Sequence, residues 1–138
     1  ARYTEMLNTF LIHTLCRRKR FRLTWFQQDG ATCHTANDTL EVLREAFGNR
    51  IISKHARFEW PPRSPDLTAP DFYLWGYLKA RVYSDRPRSL EQLKDRIRDE
   101  ISRIPPAVTK KVFKNWVKRL ESCVAANGRH LSDVVFHK

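Results

Sequence analysis

The sequence predicts an α/β domain built on a short parallel sheet, and three observations carry that reading. A helical pattern over residues 3–18 is followed by a β-prone run at 23–29, a second helical pattern at 35–47, and a β-prone segment near 57–60. Strand, helix, strand with short links marks a parallel unit, because parallel strands need a crossover and a helix supplies it. The chain has 138 residues, 41% of them hydrophobic and sixteen of them aromatic, which is enough for the core of one domain.

The first helix is expected because Tyr3, Met6, Leu7, Phe10, Leu11, Thr14 and Leu15 recur at helical spacing. LTWFQQD (23–29) is rich in aromatic and β-prone residues and reads as a buried strand. The second helix runs from Thr35 to Phe47, with Thr35 and Asp38 spaced as a capping box and Gly48 as its stop. WPPRSPDLTAPD (60–71) holds four prolines in twelve residues, which imposes a stiff, non-helical path. A helix resumes in DFYLWGYLKARVY, from Asp71.

Two further helices complete the chain. Ser89 to Arg103 has Ser89 and Gln92 as a capping box and Leu90, Leu93, Ile97, Ile101 and Ile104 as its apolar stripe. Pro106 to Ala126 carries Val108, Val112, Trp116, Leu120 and Cys123 on one face and is closed by Gly128. Residues 131–138 read as a tail. No internal repeat and no low-complexity segment is present.

The net charge of +11 favours a polyanionic partner. The excess is spread along the chain, with 13 Lys and Arg against 8 acids in residues 1–84 and 13 against 7 in residues 85–138. Its densest run is RRKRFR (17–22), in which Arg17, Arg18, Lys19 and Arg20 fit phosphate contact, a nuclear import signal or a solvated loop. Lys110, Lys111, Lys114 and Lys118 form a second basic series, either DNA-contacting or simply the solvated side of the last helix. Three widely spaced cysteines without a C-x-x-C pattern argue against a disulfide framework and a structural zinc site. No apolar run approaches the roughly 20 residues of a membrane span, and nothing points to a small-molecule substrate.

Two carboxylates stand out. Asp29 closes the first strand, and in open α/β sheets ligands gather at the carboxyl ends of strands; the alternative is an Asp29-Gly30 hairpin turn. Asp71 opens the helix after the proline-rich loop, where Thr68 and Asp71 also have the spacing of a capping pair. Trp75, Leu78 and Val82 share its helical face, and an ionised acid on a core-facing stripe needs a cation or several donors. Two acids brought together would repel, and a divalent metal between them reverses that penalty. Oxygen ligands suit Mg²⁺ or Mn²⁺, and on a basic protein that combination points to phosphoryl transfer on nucleic acid.

FQQDGATCH (26–34) and WPPRSPDLTAPDFYLWGYLKARVY (60–83), taken together, closely resemble the catalytic domain of mariner-type transposases, in the arthropod-type branch. Family members read QQDGAPPH or HDNAPSH around the second catalytic aspartate and SPDLTPLDFFLWG or SPDLAPSDYHLF around the third acid. Asp29 matches the second position and Asp71 the third, with 41 residues between them. The likeness runs from about Tyr3 to near His130. Thr32 and Cys33 replace the usual Pro-Pro, and Ala69-Pro70 replaces Pro-Leu; the acids and their spacing are kept.

The resemblance implies a partial RNase H-like fold, with two parallel strands plus helices, the first three strands absent, and a C-terminal helical extension. It divides the chain into the C-terminal part of that catalytic domain at 1–84, helices of the same domain at 85–130, and the tail at 131–138. It further implies that an Asp-Asp-Asp triad binds two Mg²⁺ (or Mn²⁺), cuts DNA at transposon ends, and joins the freed 3′-hydroxyl to target DNA in the nucleus. Asp29 and Asp71 would each hold metal. His34 matches the family's histidine, placed to orient Asp29, contact DNA or cap the following helix; Gln28 is its neighbour in the motif, and Arg63 is a candidate phosphate contact. The family's first aspartate sits on the opening strand, whereas Glu5 is the only acid before Asp29 here. These residues alone are therefore expected to be inactive. The competing expectation is a domesticated remnant that binds DNA through its basic series. A homodimer using the last two helices is the third expectation.

Overall fold

The computed structural model describes residues 2–84, 86–129 and 131. Of the expected tail at 131–138, all but Leu131 lies outside the described residues. Among the described residues the chain is mainly helical, with one two-stranded parallel sheet, and it divides into compact units at residues 1–63 and 64–138.

The first unit opens with helix α1 (Arg2–Met6), which runs through a π-helical segment (Leu7–Ile12) into α2 (His13–Cys16), with helical torsions at each junction. This is the helix the periodicity predicts. It buries Leu7 against Leu43, Phe47 and Ile51, and Tyr3, Leu11 and Leu15 pack around that cluster. After a 3₁₀ turn (Phe21–Leu23), strand β1 (Phe26–Gln27) pairs in parallel with β2 (Ile51–Ile52). Phe26 stacks on Phe47 at 5.2 Å between ring centroids, and Phe21 meets the same ring edge-on at 5.3 Å.

Two strand expectations are corrected. The 23–29 strand contracts to Phe26–Gln27, because a ladder exists only where β2 runs alongside: Phe26 N–H reaches Arg50 O and Gln28 N–H reaches Ile52 O. The second strand is Ile51–Ile52, while the expected 57–60 segment contributes only a parallel bridge from Phe58 to Ile52. Between them the backbone turns at His55, whose φ is 65°. An apolar pair immediately after a helix stop is too short for period-two alternation to reveal.

The helix expected from Thr35 is two helices. α3 (Thr32–Thr35) ends where Ala36 turns extended, and Ala36 then starts α4 (Asn37–Phe47) without a side-chain cap. The Thr35–Asp38 box does not form; Thr35 instead lies in α3 with its hydroxyl directed back to Ala31 O. Gly48 does stop α4, at φ 59°, a left-handed torsion that glycine adopts without a Cβ penalty.

The second unit begins with the SPDL segment, where Pro65–Leu67 forms a 3₁₀ turn, followed by a π-helical turn (Pro70–Leu74) that continues as α5 (Trp75–Val82). α6 (Leu90–Ser102) is capped as expected, Gln92 N–H donating to Ser89 Oγ at 3.1 Å. The Gln92 side chain reaches back to the N–H of Arg88, one residue before the cap. α7 (Pro106–Ala125) starts on a proline and closes beyond Asn127, where Gly128 N–H bonds to Cys123 O.

Leu67, Leu78, Val82 and Leu131 are buried in this unit, whereas Leu90 and Ile101 of the expected α6 stripe are exposed. α6 also buries Glu100, which Arg103 pairs at 2.8 Å and Arg81 approaches at 3.8 Å. A carboxylate at that depth needs those cations.

Candidate active site

β1 ends in a network that radiates from Gln28. Its side chain is 5% exposed, and all its polar atoms are used: Tyr3 Oη donates to Oε1 at 3.0 Å, while Nε2 donates to His34 O at 2.7 Å and Ser53 Oγ at 3.0 Å. One amide thus ties the first helix, the end of β2 and α3 together. Buried polar groups persist only when satisfied in this way.

Asp29 follows directly. Its Oδ1 accepts the Ala31 N–H at 3.0 Å and lies 2.5 Å from His34 Nδ1. The first contact is an Asx turn, so Asp29-Gly30 does turn the chain, but into α3 and not into a hairpin. A carboxylate accepts, so the shared proton of the second contact belongs to His34 Nδ1, leaving Nε2 as the ring's other nitrogen. Neither contact uses Oδ2, and the Asp29 side chain is 45% exposed.

The His34 ring lies 4.5 Å from the Tyr3 ring, tilted by 40°. Burial raises the Tyr3 hydroxyl to about 12, with the negative potentials of Cys33 and Asp29 adding to the effect. α3 is held from below: Thr39 Oγ1 donates to Cys33 O at 2.8 Å. Thr39 and Ser53 are fully buried.

Gln28, Asp29 and His34 are therefore brought together in the first unit. Arg63 ends that unit, exposed and at φ 53°. Asp71 belongs to the second unit and sits in the first turn of the π-helical segment. It is exposed, which corrects the expectation of a core-facing acid: Leu78 and Val82 are buried, but Trp75 is 49% exposed and the stripe opens to solvent at its N-terminal end. The Thr68–Asp71 capping pair is not formed either, since the Thr68 hydroxyl donates to Ser64 O at 3.1 Å.

Both acids offer oxygen donors reachable from solvent, and Asp29 has a second oxygen outside its internal contacts. Each carboxylate, taken by itself, has the chemistry of one oxygen ligand to a hard divalent cation. Among the described residues no three His, Cys, Asp or Glu side chains converge as a metal cage.

Around Asp71 the anchoring comes from α7. Trp116 Nε1 donates to Leu67 O at 2.8 Å, and buried Arg119 donates to Asp66 O at 3.1 Å with its guanidinium 4.2 Å from the Phe72 ring centre. Asp66 Oδ2 accepts the Leu131 N–H. Asp66 thus serves the packing of the SPDL turn. Trp116 reads in the sequence as one more apolar stripe residue, and nothing there distinguishes Arg119 from the other cations.

The basic series are exposed: Arg17, Arg18, Lys19 and Arg20 after α2, and Lys110, Lys111, Lys114 and Lys118 along α7. At about 100° per residue those four lysines fall within one arc of about 100°. The half-buried Val112, Trp116 and Cys123 occupy the opposite face. No helix among the described residues is long and apolar enough to cross a membrane. No protein-family model matches the chain, and no curated protein matches its sequence.

Proposed function

We propose that these residues form part of the catalytic domain of a mariner-type DNA transposase, in which Asp29 and Asp71 are two of three metal-holding acids. The observation that carries this reading is the placement of Asp29: it closes a strand of a parallel pair, one oxygen is fixed by Ala31 and His34, and the other is left for an external cation. β1 and β2 would be neighbouring strands of an RNase H-like sheet, and the shared motifs FQQDGATCH and SPDLTAPDFYLWG support that assignment.

In this reading Asp29 and Asp71 hold Mg²⁺ or Mn²⁺, which supplies activation of a nucleophile and stabilisation of the leaving oxygen at a DNA phosphate. His34 keeps the Asp29 carboxylate in one rotamer, and Gln28 fixes the loop that carries both. Arg63 and the basic series attract the phosphate backbone of transposon-end and target DNA. The test is divalent-dependent nicking of supercoiled DNA by a transposase polypeptide containing these residues and the first acid. Asp29→Asn and Asp71→Asn should each abolish it; undiminished cleavage overturns the assignment.

The exposed lysine arc of α7 favours a second reading, a domesticated remnant that binds DNA without cutting it. Reversing Lys110 and Lys114 to Glu should then reduce the slope of log K against log salt by about 0.9 per lost phosphate contact. An unchanged slope removes α7 from the interface. Exposed Arg17 to Arg20 also suit nuclear import, which their replacement by alanine in a fluorescent fusion would abolish. A homodimer through α6 and α7 would appear as concentration-dependent sedimentation.

A further inference from the structure

We propose that Trp25 and Phe58 form a stacking platform for the unpaired bases of a single nucleic-acid strand. The proposal rests on the nucleic-acid side of the reading above and not on its metal chemistry. Strand alternation sends Phe26 into the core against Phe47 and Trp25 to the opposite face of the sheet. There Trp25 meets Phe58, their ring centroids 5.3 Å apart and their planes at 69°.

Both rings stay open to solvent, Trp25 at 50% and Phe58 at 44%, although both are large enough to be worth burying. Their backbones are not loose. Trp25 immediately precedes β1, Thr24 O accepts a bond from Arg50 Nε at 3.2 Å, and Phe58 is bridged to Ile52. The aromatic surface is therefore displayed by the sheet at fixed geometry, which lowers the ordering cost of a ligand that stacks on it.

Charge identifies the ligand class. The segments that supply the two rings, residues 17–28 and 46–58, contain eight Lys or Arg and no acid; Asp29, Glu45 and Glu59 border them. Arg57 holds its guanidinium 5.6 Å from the Phe58 ring centre. Exposed aromatic faces on cation-rich segments match a polymer of flat bases on a phosphate backbone. A duplex hides its base faces within the stack, so only an unpaired strand can use the rings.

The experiment measures binding of a fluorescent 12-nucleotide oligothymidine and of a 12-base-pair duplex to the 138-residue chain, at fixed salt and in EDTA. Trp25→Ala and Phe58→Ala should each weaken single-strand binding by about 5- to 100-fold and change duplex binding by less than about twofold. Trp25→Phe should bind like the native chain, and Trp25→Leu like Trp25→Ala, which separates stacking from mere apolar bulk. Equal losses on both oligonucleotides, no loss on either, or no single-strand binding by the native chain overturns the platform. Metal is absent throughout, so a failure of Asp29 and Asp71 to support cleavage leaves this result unaffected.

Discussion

His34 Nδ1 lies 2.5 Å from Asp29 Oδ1, and the Asx turn at Ala31 is what folds the intervening residues tightly enough to bring them together. The contact dictates a tautomer: the proton sits on Nδ1. Long-range ¹H–¹⁵N correlation of the His34 ring at mildly alkaline pH should show a protonated Nδ1 and a bare Nε2. Asp29→Asn should relax that preference. A ring protonated on Nε2 in the native chain contradicts the arrangement.

Gln28→Leu should be among the most destabilising substitutions in the first unit. It keeps much of the volume but strands Tyr3 Oη, His34 O and Ser53 Oγ, three polar groups that lose their partner at once. The expected loss is about 2–4 kcal/mol, read from urea unfolding. A loss comparable to that of an exposed substitution such as Lys19→Ala contradicts the role given to the amide.

The Tyr3 hydroxyl provides a pH test with a defined sign. Its pKa is raised from 10.0 to about 12 in the fold, so the unfolded chain gives up this proton first. The contribution of Tyr3 to stability is complete below pH 10 and falls as pH rises through about 12. The stability difference between the native chain and Tyr3→Phe should shrink across that window. A difference that grows, or stays level, reverses the assignment.

The helices were legible in the sequence because their signals are redundant. Seven residues repeat over 3–18, Ser89 and Gln92 mark one start, and Gly48 and Gly128 mark two ends. The strands were legible only in part: the β-prone run at 23–29 contains β1, but its length and the position of β2 are set by the neighbouring strand and not by their own patterns. At the site, Asp29 and His34 stood out as charged residues after an apolar run. Gln28 entered only as a neighbour of His34 in the motif, and Tyr3 and Ser53 not as site residues at all, since an amide, a phenol and a hydroxyl announce a network only once three segments have been folded together.

The same applies to α7. Trp116→Phe stays aromatic but loses the N–H bonded to Leu67 O and part of the indole's volume, so it should cost at least about 1–2 kcal/mol. Arg119→Met should cost at least as much, through loss of both the Asp66 carbonyl bond and the contact with Phe72. Hydrogen exchange at the Thr68, Asp71 and Phe72 amides, which close the turn after SPDL, should accelerate in both variants. Unchanged protection there would mean that α7 does not hold the segment leading to Asp71.

The central claim is that the Asp29 carboxylate binds a divalent cation, and thermal unfolding with and without MgCl₂ or MnCl₂ tests it most directly. Metal at about ten times Kd adds roughly 1.4 kcal/mol to the folded state. The melting temperature of the native chain should therefore rise by a few degrees, and that of Asp29→Asn by clearly less. Equal shifts in the two proteins would remove Asp29 from the metal shell.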